Sequence, residues 1–341
     1  PRRAAVNDFR AGRAMNARPA RQRGIALLIA LLTVALAAVL IAGLLDRGEL
    51  AFARTRNALR NEQAEAYAAG LEAYAARVLL KDLADDPGSD TNTDIWASGL
   101  PAQPVPGGVI TASMHDLNGC FNLNNLVDPA SASSALTMFR RLLEVRGVDP
   151  GIATAVEAWL GAEGDSADVT DAYYLAQPVP YRSAQRRFAH ISELRLVQGV
   201  SSDVYKRLAP FVCALPPGTR LNVNTASVPV LQTLGPSITE AQAQSLWQNG
   251  QAHWTASDLP QWRQQNIAID IPLSLLGTSS SYFIARCDVG LGGVPFTFYS
   301  LIERSQGAIR VIERSRGSDS ALDVPGAPAP SQGTAPGAGS P

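Results

Sequence analysis

The sequence predicts an α+β fold: a long N-terminal helix packed on an antiparallel sheet, with a large all-α domain inserted between early and late strands. Three observations predict it. Helical spacing of apolar residues runs unbroken from residue 25 to residue 83. Three strand-spaced runs follow one another near the C-terminus. Between them lies a stretch of about 150 residues that reads as a succession of short helices. The length of 341 residues suits two modest domains, and a formal net charge of −1 excludes a polyanion binder acting through bulk charge.

The N-terminal helix is justified in two parts. Residues 1–24 carry seven arginines and one acid, Asp8, a basic tail that favours a cytoplasmic N-terminus. Met15 is a second possible start, leaving a short leader that ends at Gly24. From Ile25 to Leu45 there is no charge. As a helix this run spans about 31 Å, close to the roughly 30 Å of a hydrocarbon core. A secretory signal has a shorter apolar core followed by small residues at a cleavage site. Here Asp46, Arg47 and Glu49 follow instead, so an uncleaved single-pass anchor is the plain alternative. Past the membrane, Leu59, Ala64, Tyr67, Leu71, Tyr74, Val78 and Leu79 keep helical spacing among charged residues until Pro87 and Gly88 stop it.

The head begins with residues 84–106, rich in Asp, Pro and Gly and read as a loop. "GGVITASMHDLNG" (107–119) reads as a strand or the start of a hairpin. "CFNLNNLVD" (120–128) precedes a helix over 132–146. About a hundred residues later "RLNVNTASVPVLQTLG" (220–235) repeats the form: Asn122, Asn124 and Asn125 echo Asn222, Asn224 and Thr225. Such side chains suit helix N-termini because they satisfy orphan backbone amides. Further helices are expected at 149–160, 191–197, 201–210, 226–234 and 239–248. Runs 281–290, 295–305 and 308–317 predict an antiparallel three-stranded sheet. From 318 to 341 the chain is Pro, Gly, Ala and Ser, a composition too poor in apolar bulk to form a core.

A basic leader ending in Gly, an apolar helix directly after it and a helix that runs on into a head resembles a type IV prepilin. The resemblance implies cleavage by a prepilin peptidase between Gly24 and Ile25 and methylation of the new N-terminus. It also marks a departure: prepilins usually carry Glu at the fifth mature position, which is Ile29 here. A buried acid in lipid needs a partner, and a subunit at a fibre end could dispense with it. Four further motifs make the resemblance specific: "DLNGCFNLNNL" (116–126), "AWLGAEGDSADVTDAYY" (158–174), "ISELRLVQGVSSDVYKRLAPFVCALP" (191–216) and "LNVNTASVPVLQTL" (221–234). In this order they resemble the K-type minor pseudopilin family of the type II secretion system, general secretion pathway protein K, over residues 25–316.

That resemblance implies a division into a cleaved leader (1–24), a long helix (25–83, transmembrane over 25–45), a pilin-like head (84–120 and 276–317), an inserted helical domain (121–275) and a disordered tail (318–341). It implies an inner-membrane subunit with a periplasmic head, sited at the tip of the pseudopilus. The implied partners are the I- and J-type minor pseudopilins, the major pseudopilin, the peptidase and secreted substrates. The acidic stretch Glu163, Asp165, Asp168 and Asp171 is the candidate calcium site. Calcium wants six to eight oxygens, and alternate acids supply them. The family usually has Asp at the positions of Gly161 and Glu163, and the solvated acidic loop is the alternative. Cys120 and Cys213 immediately precede the two ends of the helical repeat region, and an oxidising compartment permits a bridge between them, leaving Cys287 alone; three separate thiols is the other possibility. No spacing suggests zinc.

Nothing in the sequence points to catalysis. His115, His190 and His253 are scattered, and no nucleophile elbow, Walker loop or dinucleotide fingerprint occurs. Trp159, Tyr173, Tyr174, Trp247, Trp254 and Trp262 read as packing. "LNVNTASVPVLQTLGPSIT" also resembles the start of a helix-hairpin-helix DNA-binding module. Pro236 removes an amide from its hairpin, however, and no Lys or Arg lies between Arg220 and Arg263, so nucleic acid is not an expected partner. The other alternative is a type IV pilus minor pilin.

Overall fold

The computed structural model describes residues 22–161, 167–262, 269–305 and 307–317. The chain divides into two units, residues 1–62 and 63–341. A single α-helix, α1 (Gln22–Asp85), enters both. In the first unit it carries the uncharged run, whose apolar side chains all stand exposed, from Ile25 to Leu45.

In the second unit α1 turns a stripe of Ala64, Ala68, Leu71, Ala75 and Leu79 into the core. The stripe is not quite the expected one, because Tyr74 is about half exposed and alanines take the buried positions instead. Small side chains let the helix lie close on a sheet, which a pattern search for large apolar residues overlooks. After α1 come β1 (Leu100–Val105) and β2 (Gly108–Asp116). β1 corrects the expectation of a loop over 84–106. Pro101 and Pro104 argue against a strand, yet β1 is the edge of the sheet, where a missing N–H costs nothing, and its pairing slips between Leu100 and Gln103.

The helical region opens with the short β3 (Phe121–Asn122), then α2 (Ala132–Val145), α3 (Ile152–Leu160), α4 (Ala167–Leu175) and α5 (Ser202–Leu208). It continues with β4 (Val212–Cys213), β5 (Leu221–Asn222), α6 (Val228–Leu231), α7 (Glu240–Trp247), α8 (Leu259–Trp262) and β6 (Leu276–Gly277). β3 pairs in parallel with β4, and β5 with β6. One apolar core runs through the region, from Phe121, Phe139 and Leu142 to Leu231, Leu246 and Trp262. Trp159, Tyr174 and Trp262 are buried in it, whereas Tyr173 is exposed.

The repeated asparagines give this region its internal likeness. Asn122 Oδ1 accepts from the backbone amides of Asn124 (3.1 Å) and Leu215 (3.0 Å), and Asn222 Oδ1 accepts from that of Asn224 (3.0 Å). The Asn124 amide then binds both the N–H and the carbonyl of Phe188, and Asn224 does the same with Trp254. Each copy thus uses one asparagine to shape its own turn and the next to hold a distant strand of backbone.

The chain returns to the sheet with β7 (Tyr282–Leu291), β8 (Val294–Ser305) and β9 (Ala308–Arg316). The sheet is antiparallel and five-stranded, in the order β1-β2-β7-β8-β9. The helical region is therefore inserted between β2 and β7, which lie side by side. Cys287, Val289, Leu291 and Phe298 meet Ala64, Ala68 and Leu71 of the α1 stripe, while Phe283, Ile302, Met114 and Trp96 meet Ala75 and Leu79. Glu72 joins the helix to β8 and β9, accepting from Ser300 Oγ (2.6 Å) and from Arg314 Nε (2.7 Å). Burial works to raise its carboxyl, and the Arg314 and Ser300 donors together outweigh it and hold the group below the usual range.

Candidate functional site

The first candidate is the membrane helix. The helix from Ile25 carries a window of mean hydropathy 3.0 that is wholly exposed. An exposed apolar run of this length in a folded chain calls for lipid or other helices around it. Helical backbone already begins at Gln22, so Gly24 and Ile25 lie in the first turn of α1. Residues 1–21 of the leader lie outside the described residues. Ile29, at the place where an acid was expected, is exposed in the apolar run.

The second is the seat of the helical region on the end of α1. The helix ends at Asp85, and the loop after it is gripped by the second asparagine motif. Asn224 Nδ2 donates to Ser89 Oγ at 3.1 Å, and Asn222 Nδ2 donates to the Asp90 carbonyl at 3.0 Å. Asp90 N–H donates to the Thr278 carbonyl at 2.8 Å. Asp116, at the end of β2, accepts from Ser280 Oγ (2.7 Å), the Asn118 amide (2.7 Å), Asn222 and Thr225. Burial nevertheless pushes its carboxyl up to about 6, outweighing these donors. Gly119 is needed beside it, because a Cβ there would come within 2.7 Å of the Thr225 backbone.

The third is the pair of cysteines. Cys120 and Cys213 form a disulfide with their Cα atoms 5.9 Å apart, across 93 residues of chain. They stand at the parallel pair β3–β4 and close the first half of the helical region. Cys287 is a buried free thiol pushed up to about 12 by burial, which leaves it unreactive.

The acidic stretch is only partly gathered. Glu163 and Asp165 lie outside the described residues, as does the side chain of Asp168. Asp168 and Asp171 belong to α4, which corrects the expectation of a continuous loop. Gly161, in the left-handed conformation at φ 75°, ends α3 just before it. Asp171 is buried and turned inward. Its Oδ1 accepts from Ser183 N–H and Oγ, both at 2.8 Å, and its Oδ2 from Arg182 at 3.0 Å. Ser183 chiefly, with Arg182, holds its carboxyl below the usual range.

The architecture defines a class: a chain with one apolar helix long enough to cross a membrane, which runs on to pack against an antiparallel sheet interrupted by a helical insertion. Comparison with known proteins narrows it. The family model for type II secretion system (T2SS) protein K matches residues 119–217, which hold the disulfide, the first asparagine motif and the acidic stretch. Type II secretion system protein K of Pectobacterium carotovorum subsp. carotovorum is 33% identical over 322 residues, covering 87% of this chain and 97% of its own. The protein K of Pseudomonas aeruginosa is 33% identical over 329 residues, covering 92% and 96%. Among solved structures, the crystal structure of the GspK-GspI-GspJ complex from the enterotoxigenic Escherichia coli type 2 secretion system matches with a TM-score of 0.67. It is 29% identical and covers 78% of this chain and all of the matched chain. The chain belongs to the type II secretion system protein K family.

Proposed function

We propose that this protein is a minor pseudopilin that caps the tip of the type II secretion pseudopilus and helps to start its assembly. The observation that carries the reading is the seat of the insertion. Asn222, Asn224 and Thr278 fasten the helical region to the loop at the C-terminal end of α1. In a fibre of parallel helices, a bulky insertion held to that loop would obstruct the stacking of a further subunit. Contacts below it would run through the α1 helices.

In this reading a prepilin peptidase cuts between Gly24 and Ile25 and methylates Ile25. The apolar run crosses the inner membrane once, with the N-terminus cytoplasmic and the head periplasmic. Its partners are the I- and J-type minor pseudopilins, as the complex of the solved relative supports, and below them the major pseudopilin. The role is structural rather than enzymatic, with secreted substrates as further contacts at the tip. A tip subunit that meets no successor also has no use for an acid at Ile29.

Calcium at the acidic stretch belongs to the same reading. The donors there are oxygens, which fit a hard cation. The group that opposes one is the Arg182 guanidinium on Asp171 Oδ2, and that side chain is 70% exposed and able to turn away. Asp171, Glu163, Asp165 and Asp168 are the residues that would hold the ion, closing the chain between α3 and α4.

Capping is tested by stoichiometry. Pseudopili assembled with this chain should carry one copy each whatever their length, and raising its level should give more and shorter fibres. Copies spaced along the fibre, or lengths indifferent to its level, would contradict the tip assignment.

A further inference from the structure

A second cluster of acids lies at the end of α1 and on the loop that follows it. One carboxylate oxygen from each of Asp82, Asp90 and Asp94 lies within 4.8 Å of the other two. Asp82 is on the last turn of α1, and Asp90 and Asp94 are on the loop that follows. Asp82 is 7% exposed and Asp90 1%. Opposite them stands the Arg304 guanidinium of β8, itself buried. It reaches Asp82 Oδ2 at 3.2 Å and also binds Asp90 Oδ2 and the Ser280 carbonyl (2.8 Å). Asp94 is held in place by Thr91, whose N–H and Oγ1 each donate at 2.7 Å.

Two facts set this cluster apart from an ordinary ion-pair network. The first is charge: three carboxylates face one guanidinium, leaving two negative charges uncompensated in a buried site. The neighbouring Asp116 on β2 adds to them. The second is an orphan atom. Asp90 Oδ1 is buried with no hydrogen-bond donor, although the other oxygen of the same group has two, Arg304 and the Ser280 N–H at 2.6 Å. A buried charged oxygen without a donor costs far more than a satisfied one. We propose that Asp82, Asp90 and Asp94 form a binding site for one hard divalent cation of the calcium class. The cation supplies the two missing positive charges and the missing partner of Asp90 Oδ1. Oxygens around one Ca²⁺ at about 2.4 Å stand no more than about 4.8 Å apart, which is the spread seen here.

The bound ion would lock residues 86–97 to the end of α1. That loop is the one Asn222, Asn224 and Thr278 hold, so the site fastens the insertion to the helix. The inference does not rest on the secretion reading.

The test uses the full chain in detergent with Glu163→Gln, Asp165→Asn and Asp168→Asn in place, so that the acidic stretch is silent. Equilibrium dialysis against calcium alone should then find one Ca²⁺ per chain. Thermal unfolding should move up by several degrees between EDTA and a calcium excess. Adding Asp90→Asn should abolish both, while leaving the melting point in EDTA no lower than that of its parent, because the new amide donates where a cation is missing. Should Asp90→Asn not fold, the half-buried Asp94→Asn gives the same reading. A silenced chain that binds no calcium, or binding that survives both Asp90→Asn and Asp94→Asn, overturns the proposal.

Discussion

Single side chains decide how the head is joined. Asp116 is raised above the ordinary carboxylate value of 3.8 to about 6. The folded chain therefore holds this proton more tightly than the unfolded chain, and the contribution of Asp116 to stability is greatest below about pH 4. It falls as pH rises to about 6 and is level above that. The difference in stability between wild type and Asp116→Asn should fall by about 3 kcal/mol across that window. A difference that does not change with pH between 4 and 6 would show that burial does not raise the carboxyl of Asp116. Asn124 makes a different prediction. Its removal orphans the Phe188 N–H and carbonyl and the Leu215 carbonyl, all in a buried site. Asn124→Ala should cost about 2–4 kcal/mol by thermal or denaturant unfolding, against a few tenths for the exposed Asn92→Ala. The roles of these asparagines were half legible. Their repeat at a spacing of a hundred residues shows in the sequence, but the partners Phe188 and Trp254 come from loops of unequal length. The cluster of Asp82, Asp90 and Asp94 was not legible at all, because Arg304, which binds Asp82 and Asp90, is more than 200 positions away.

At the scale of elements, what the sequence shows depends on how regular the element is. The span of α1 and the strands β7 to β9 follow from periodicity alone, since one face of each is apolar over many turns or pleats. β1 was hidden by its two prolines, which an edge position tolerates. The start of α4 was hidden by its acids, which read as loop. The helical region consists of short helices, few longer than 9 residues, that have little stability apart from their shared core. It is here that the Cys120–Cys213 bond acts, because it closes most of the first half of this region into a loop of 93 residues. Reduction, or Cys120→Ser with Cys213→Ser, should lower the stability of the head by roughly 2–5 kcal/mol. Unchanged unfolding under reducing conditions would mean that the apolar core alone sets the stability. Cys287→Ser should leave sensitivity to reduction intact, since that thiol is unpaired.

At the scale of the whole molecule, the first unit carries an exposed apolar helix, and in the second the helical insertion is held to the loop that follows Asp85. The family follows from the comparisons; the proposal that the leader is removed and the apolar helix kept rests on the resemblance of "RQRGIALL" (21–28), with the apolar run behind it, to a prepilin. The measurement that tests this most directly is the intact mass and N-terminal sequence of the protein purified from membranes, with and without a co-expressed prepilin peptidase. The account predicts a mature chain that begins at methylated Ile25 only when the peptidase is present. A leader that stays attached, or a cut beyond Leu45, would contradict it.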